Sequence, residues 1–301
     1  MPHPFDRPAG TAALLMLVVV LATLPASLRA QDFADVEIRT TQITPSIFML
    51  QGSGGNIAVS TGDDGTLIVD DQYAPLADRI VAAIAEVTDD PVDFVINSHW
   101  HFDHSDGNES FGAMGALIVA QENSRTRMLS DQYVAAFDRL QEAYSDEGLP
   151  RITFGRSMNF HYNGDTIEIL HFGPAHTDGD AIIHFRDSNV IHTGDVFVRY
   201  GLPFIDEPNG GDVNGMIRTC KEVLARIDVD TRIIPGHGQP ATREDLAEYV
   251  AMLETARDSI QALVDRGLSL DEIQAEDPTD VLGVGGNAEV FVAAVYNSLV
   301  P

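Results

Sequence analysis

Apolar positions along this chain switch between two periods. Over residues 36–70 they fall in short runs broken by Gly52-Ser53-Gly54-Gly55 and Gly62-Asp63-Asp64-Gly65, which are turn signals between strands. Thr66-Leu67-Ile68-Val69 reads as a buried strand. Leu76, Ile80, Ala83, Ile84 and Val87 recur at helical spacing and predict a helix over 75–87. Val92-Asp93-Phe94-Val95-Ile96 predicts another strand, and residues 121–146 predict a helix polar on one face. The second half repeats this alternation. Asn163-Gly164 predicts a tight hairpin turn between strands 157–162 and 165–171. Strands over 181–186 and 189–193, a helix over 212–227, a strand at 232–234 and helices over 242–266 and 287–298 follow. No low-complexity linker divides the halves, so one domain over 31–301 is expected. Strands with flanking helices in both halves predict a layered α/β fold, two sheets covered by helices.

The first thirty residues do not share this pattern. Ala12 to Leu24 is an apolar run broken only by Thr23, too short to span a bilayer as a stable helix. Arg7 supplies a positive flank, and Ser27-Leu28-Arg29-Ala30 offers a small residue for cleavage. Residues 1–30 therefore read as a Sec-type signal peptide. The expected location is the bacterial periplasm or the exterior, with no stable membrane insertion after cleavage. Cys220 is the only cysteine, which excludes an intramolecular disulfide, and in a predicted helix it reads as a small buried hydrophobe.

Charge narrows the partners. The formal net charge is −28, and Lys221 is the only lysine. Such a field repels polyanions, and nucleic acid needs clustered Lys and Arg at its phosphates. A small-molecule substrate is the expected partner, nucleic acid is not, and oligomeric state is left open.

The chemistry concentrates in His99-Trp100-His101-Phe102-Asp103-His104. His99 and His101 alternate, so both can point one way from an extended segment. Three imidazoles and a carboxylate in six residues suit Zn²⁺. One short loop cannot easily wrap a single ion with four ligands, whereas it can serve two adjacent ions. Further ligands come from similar settings just past predicted strands: His176 in Gly173-Pro174-Ala175-His176-Thr177, Asp195 in His192-Thr193-Gly194-Asp195, and His237 in Pro235-Gly236-His237-Gly238. His161, His171, His184 and His192, each alone, read as structural.

His-x-His-x-Asp-His followed by separate His, Asp and His resembles the metallo-β-lactamase superfamily, and the resemblance runs from Asp70 to Gly238. It implies a four-layer αβ/βα sandwich with metals at one edge of the sheets. It implies that His99, His101 and His176 hold a first metal, that Asp103, His104 and His237 hold a second, and that Asp195 bridges them. Val69-Asp70 resembles the superfamily's first motif, whose aspartate supports the metal loop from behind the ligands. Two zinc ions per chain are implied. Iron or manganese is admitted, because Asp195 stands where the best-known dizinc β-lactamases have cysteine, and a carboxylate is the harder ligand. Aspartate there resembles glyoxalase II enzymes and quorum-signal lactonases.

An exported metal-dependent hydrolase follows, attacking a carbonyl with a hydroxide held between two ions, Asp103 orienting it and passing a proton to the leaving group. Export puts β-lactams or similar cyclic amides first, and Arg199 could pair with their carboxylate. A lactonase, esterase or glyoxalase II-like thioesterase is the alternative, and a mononuclear iron persulfide dioxygenase the alternative of another class. Tyr200, Asn209 and Asn214 are further candidate substrate contacts, and Gly52-Ser53-Gly54-Gly55 is a candidate flap.

Overall fold

Short apolar runs separated by glycine turns become the strands β1 (Arg39–Gln42), β2 (Ile47–Gln51), β3 (Ile57–Gly62) and β4 (Gly65–Val69) of the computed structural model, which describes residues 33–300. The signal-peptide segment 1–30 lies outside the described residues. These strands pair antiparallel in chain order. Helix α1 (Ala77–Ile84) then returns the chain so that β5 (Val92–Ile96) lies parallel to β4. After it come α2 (Phe102–Ser105), α3 (Asn108–Ala113), β6 (Leu117–Gln121), α4 (Glu122–Met128), a small hairpin of β7 (Gln132–Val134) and β8 (Arg139–Gln141), and β9 (Ile152–Phe154). The first sheet has seven strands in the order β1-β2-β3-β4-β5-β6-β9.

The helix expected over 121–146 is a correction. Only α4 is helical, and the chain then forms the β7–β8 hairpin. Asp138 closes the hairpin at φ +47°, a left-handed conformation that a helix interior excludes. Tyr133, Phe137 and Leu140, whose spacing imitates a helical stripe, are all more than half exposed.

The second sheet comprises β10 (Ser157–Tyr162), β11 (Asp165–Leu170), β12 (Ile182–Phe185), β13 (Val190–His192) and β14 (Arg232–Ile234), in that order. Asn163 and Gly164 turn the β10–β11 hairpin with φ of +55° and +72°, the pair of positive angles that a type I′ turn demands. Helix α5 (Val213–Leu224) is the crossover that makes β14 parallel to β13. Helices α6 (Arg243–Asp265), α7 (Leu270–Ala275) and α8 (Ala288–Leu299) complete the chain. Thr242 and Asp245 start α6 with a reciprocal capping box.

The two sheets pack face to face. Met49, Leu67, Val69, Ile96 and Val119 of the first meet Ile167, Ile169, Ile183, Phe185 and Ile234 of the second in one buried cluster. Ile182, Ile191 and Ile233 point the other way and join Met216, Cys220, Leu246, Leu253, Phe291 and Val295 from α5, α6 and α8. On the far side of the first sheet, α3 packs on β5 and β6. The result is the αβ/βα sandwich the sequence implies. No helix among the described residues is long and apolar enough to cross a membrane. The loops leaving the carboxyl ends of β4, β5, β13 and β14 carry Asp70, the histidine run, Asp195 and His237.

Phe185 is fully buried between the sheets. Phe185→Ala should lower the free energy of unfolding by about 3–5 kcal/mol. A urea melt should show this as a lower midpoint, and an unchanged midpoint would contradict the placement of the core.

Candidate metal centre

Asp70 follows β4 directly, in the left-handed region at φ +64°, and is fully buried. Such a conformation in a non-glycine residue costs on the order of 1–3 kcal/mol and persists only where the surroundings fix it. Here the carboxylate is fully used. Oδ1 accepts the Ser98 backbone N–H at 2.6 Å, and Oδ2 accepts the Ser98 hydroxyl at 2.7 Å and faces His104 Nδ1 at 2.7 Å. Asp71 adds two ties: its N–H donates to His104 O at 2.9 Å, and its Oδ1 accepts from Gly107 N at 3.0 Å. The histidine run is thereby fastened at both ends to the residues just past β4. His99 lies in the bend after β5 and His101 on extended backbone, while Asp103 and His104 sit on the single turn of α2.

Gly52-Ser53-Gly54-Gly55 is not a free flap. Gly55 N donates to Asp103 O at 2.9 Å, and a Cβ on Gly55 would overlap the His104 ring. Glycine lets this segment lie directly against the metal loop.

Two sets of donors converge. His101 Nδ1 lies 3.1 Å from His99 Nε2 and 2.9 Å from His176 Nε2. His237 Nε2 lies 3.3 Å from His104 Nε2 and 3.3 Å from Asp103 Oδ2. Asp195 stands between the sets: Oδ1 is 3.1 Å from His104 Nε2, and Oδ2 is 3.4 Å from His237 Nε2 and 3.8 Å from His176 Nε2. A tetrahedron with metal–ligand bonds of about 2.0–2.1 Å has edges of roughly 3.4 Å, so these separations fit shared coordination. Hydrogen bonding does not explain the first set: three imidazole nitrogens aimed at one point cannot be satisfied by one another's protons. The donors fit divalent metal.

Each inner histidine is held through its other ring nitrogen. His99 Nδ1 meets Ser98 Oγ at 3.1 Å, His101 Nε2 meets Asp206 Oδ2 at 2.8 Å, and His176 Nδ1 meets Phe204 O at 2.8 Å. Such partners fix the ring orientation and tautomer of a metal-binding histidine. Asp180 shapes the loop of His176 by accepting from the backbone N–H of His176 at 2.7 Å and of Thr177 at 3.0 Å. Asn209 Nδ2 donates to both oxygens of Asp206, at 2.9 and 3.0 Å.

Charge is divided unevenly across the cluster. Burial, followed by repulsion from neighbouring imidazoles, holds His99 well below its usual pKa and His176 at about 4. Burial also opposes charge on His104 and His237, but Asp195 and Asp103 outweigh it, raising His104 well above its usual value and His237 to about 10. The carboxylates respond in kind. Burial would keep Asp103 neutral, yet His104 and His237 hold it at about 2, and His237 and His104 likewise hold Asp195 low. Without metal the second donor set is thus a zwitterion of carboxylates and imidazolium.

All seven predicted donors, and Asp70 behind them, meet at this one place. The predicted substrate contacts do not. Arg199 turns away, donating to Pro240 O at 2.7 Å and pairing with Asp245 at 3.0 Å. Asn214 accepts from Arg257 at 2.9 Å on α5. Asn209 is buried and supports Asp206. Tyr200 alone is at the rim, with its ring 5.8 Å from His237 and 45% exposed. Residues that sequence reasoning missed are Ser98, Asp180, Phe204 and Asp206. Only Asp180 carried a signal, as a carboxylate four residues past His176 in a turn sequence. His171 and His192 serve backbone carbonyls, of Asp180 and Asn56.

Residues 45–237 match the family model of the metallo-beta-lactamase superfamily. A hydroxyacylglutathione hydrolase of Polaromonas sp. is 28% identical over 167 residues, 54% of this chain. The match spans only 55% of that relative's length. The lactamase-like protein aptB of Emericella nidulans is 25% identical over 266 residues, 83% of this chain and 76% of the relative. Among solved structures, a metallo-beta-lactamase from Pontibacter korlensis superposes with a TM-score of 0.59 at 16% identity, over 72% of this chain and 99% of that one, a likeness of fold. With the family model matched across more than half of its sequence, the chain belongs to the metallo-β-lactamase superfamily, and its described residues form a site fit for divalent metal.

Proposed function

We propose that the chain hydrolyses a carboxylic ester, lactone or thioester of a small molecule with two divalent ions, zinc first and iron or manganese as alternatives. Asp195 carries the dinuclear reading, since its two oxygens reach toward donors of both sets, His104 and His176. His99, His101 and His176 would hold one ion and Asp103, His104 and His237 the other. When bound, the ions supply Lewis acidity toward a carbonyl oxygen and a means of ionising water near neutral pH.

The side chains divide the remaining work. Asp103 and His237 are the donors most open to solvent, 20% and 23% against 9% or less for His104, His176 and Asp195, so substrate approaches from their side. Asp103, with an oxygen there, is placed to hold the attacking water and to carry its proton to the leaving group. Asp70, Ser98 and Asp206 keep the imidazoles aimed.

The placement of Arg199 moves the β-lactam reading to second. The carboxylate of a bicyclic β-lactam would want a free cation, whereas Arg199 is committed to Asp245. Arg139 and Arg127, linked to the site through Phe102 and Asn209, are committed to Asp106 and Asp178. The Polaromonas relative, whose name gives hydroxyacylglutathione as its substrate, supports an acyl substrate. The β-lactam reading keeps the support of the leader-like N-terminal run.

Zinc-loaded protein should turn over an acyl-homoserine lactone, a simple ester or lactoylglutathione faster than a chromogenic cephalosporin. Preference for the cephalosporin would restore the second reading, and inactivity on all with two metals bound would sink both. Asp103→Asn should lower turnover by about 10²–10⁴-fold while retaining some metal. Asp206→Ala frees His101 Nε2 and should weaken zinc affinity by about 10–100-fold in a chelator competition. Zinc requires neutral imidazole, and the metal-free protein keeps His237 protonated up to about pH 10. Loading at neutral pH should therefore release protons, and affinity should fall as pH falls. Calorimetry in buffers of different ionisation enthalpy checks this, and a buffer-independent heat would contradict it.

A further inference from the structure

One wall of the site is apolar. The ring of Phe204 lies 5.8 Å from His101 and 5.7 Å from His176, centroid to centroid, so it bounds the first donor set directly. Tyr200 bounds the second through His237. Beyond these two rings lies a groove of about 170 Å³ whose lining includes Ala136, Phe137, Leu202 and Val290. It shares Ala136, Phe204 and Val290 with a neighbouring chamber of about 290 Å³, which is lined further by Ala135, Ile205 and Ala293. Phe137 is held by edge contacts to Phe204 at 5.0 Å and Phe102 at 6.1 Å, yet remains 55% exposed. Neither chamber is lined by lysine or arginine. The charged residues in the lining are Asp206, which faces His101, and Glu207, which pairs with Asn297 at 3.3 Å.

We infer that this groove holds the apolar arm of the substrate, an uncharged acyl or alkyl chain, and that it sets substrate preference; the inference rests on the hydrolase reading above. The occupant follows from adjacency. Phe204 and Tyr200 line the groove and also border His101, His176 and His237, so a chain laid along the groove ends beside the rings that flank the donors. An exposed apolar surface beside a polar site is the usual form of a small-molecule cleft. Charge excludes the alternatives. An anionic arm would meet Asp206, Glu207 and the field of a chain with net charge −28, and no lining cation would receive it.

Two measurements on the zinc-loaded protein test this. Calorimetric binding of the neutral primary amides from acetamide to octanamide should tighten by up to roughly four-fold per buried methylene. The p-nitrophenyl esters from acetate to octanoate should gain kcat/KM over the same range. An amide carrying a carboxylate at the far end of the chain should lose the gain. Phe137→Ser, at an exposed position, and Val290→Glu should each flatten both series. A flat amide series, or one unmoved by both substitutions, overturns the groove and leaves the hydrolase reading to be judged on turnover. A steep amide series without ester turnover supports the groove and overturns the ester reading instead.

Discussion

The buried carboxylate of Asp70 fastens the site to the fold. Its three partners, the backbone and hydroxyl of Ser98 and the ring of His104, all belong to the segment that follows β5. Because β4 and β5 are parallel neighbours, their carboxyl ends lie side by side, and one aspartate can reach across from one to the other. Asp70 accepts a left-handed backbone to do so, a local strain that three charge-assisted hydrogen bonds outweigh. Released from Asp70, His104 would lose its orientation and the loop its anchor.

The second sheet presents the same device without the strain. β13 and β14 are also parallel neighbours, and their carboxyl ends deliver Asp195 and His237. The two sheets pack face to face, and the donors delivered from each meet across one edge. Burying so many ionisable groups together would be unfavourable if each stood alone. The arrangement tolerates it by pairing imidazolium with carboxylate in one donor set and by keeping His99 and His176 neutral in the other. That division suits metal binding: His99 and His176 offer their lone pairs at once, and the second set exchanges protons for an ion of like charge.

The sequence made the donors legible because their chemistry is rare: few alternatives compete to explain three histidines and an aspartate in six residues. It made the Asn163-Gly164 hairpin legible because turn chemistry is local. It failed where tertiary contacts decide. Over 121–146 the apolar residues at Tyr133, Phe137 and Leu140 imitate a helix, but they face outward on a hairpin. Arg199 stands four residues past Asp195, a spacing that predicts a substrate contact, yet the amino-terminal turn of α6 supplies Asp245 to hold it. Asp206 is one carboxylate among 46 acidic residues, and nothing along the chain marks it as the partner of His101, 105 residues earlier.

These successes and failures separate chemistry from specificity. The donors come from loops at parallel strand ends, where backbone geometry leaves little freedom. The apolar wall comes from elsewhere: the β7–β8 hairpin carries Phe137, the segment after Asp195 carries Tyr200 and Phe204, and α8 carries Val290. None of these three segments supplies a donor, so each can change without disturbing the metal geometry. Phe204 is the exception that couples the two, since its backbone carbonyl fixes the tautomer of His176 while its ring lines the groove. A substitution that keeps an aromatic ring at 204 can reshape the groove at little risk to the site. One that moves the backbone there would disturb His176, and with it the metal, before it altered substrate choice.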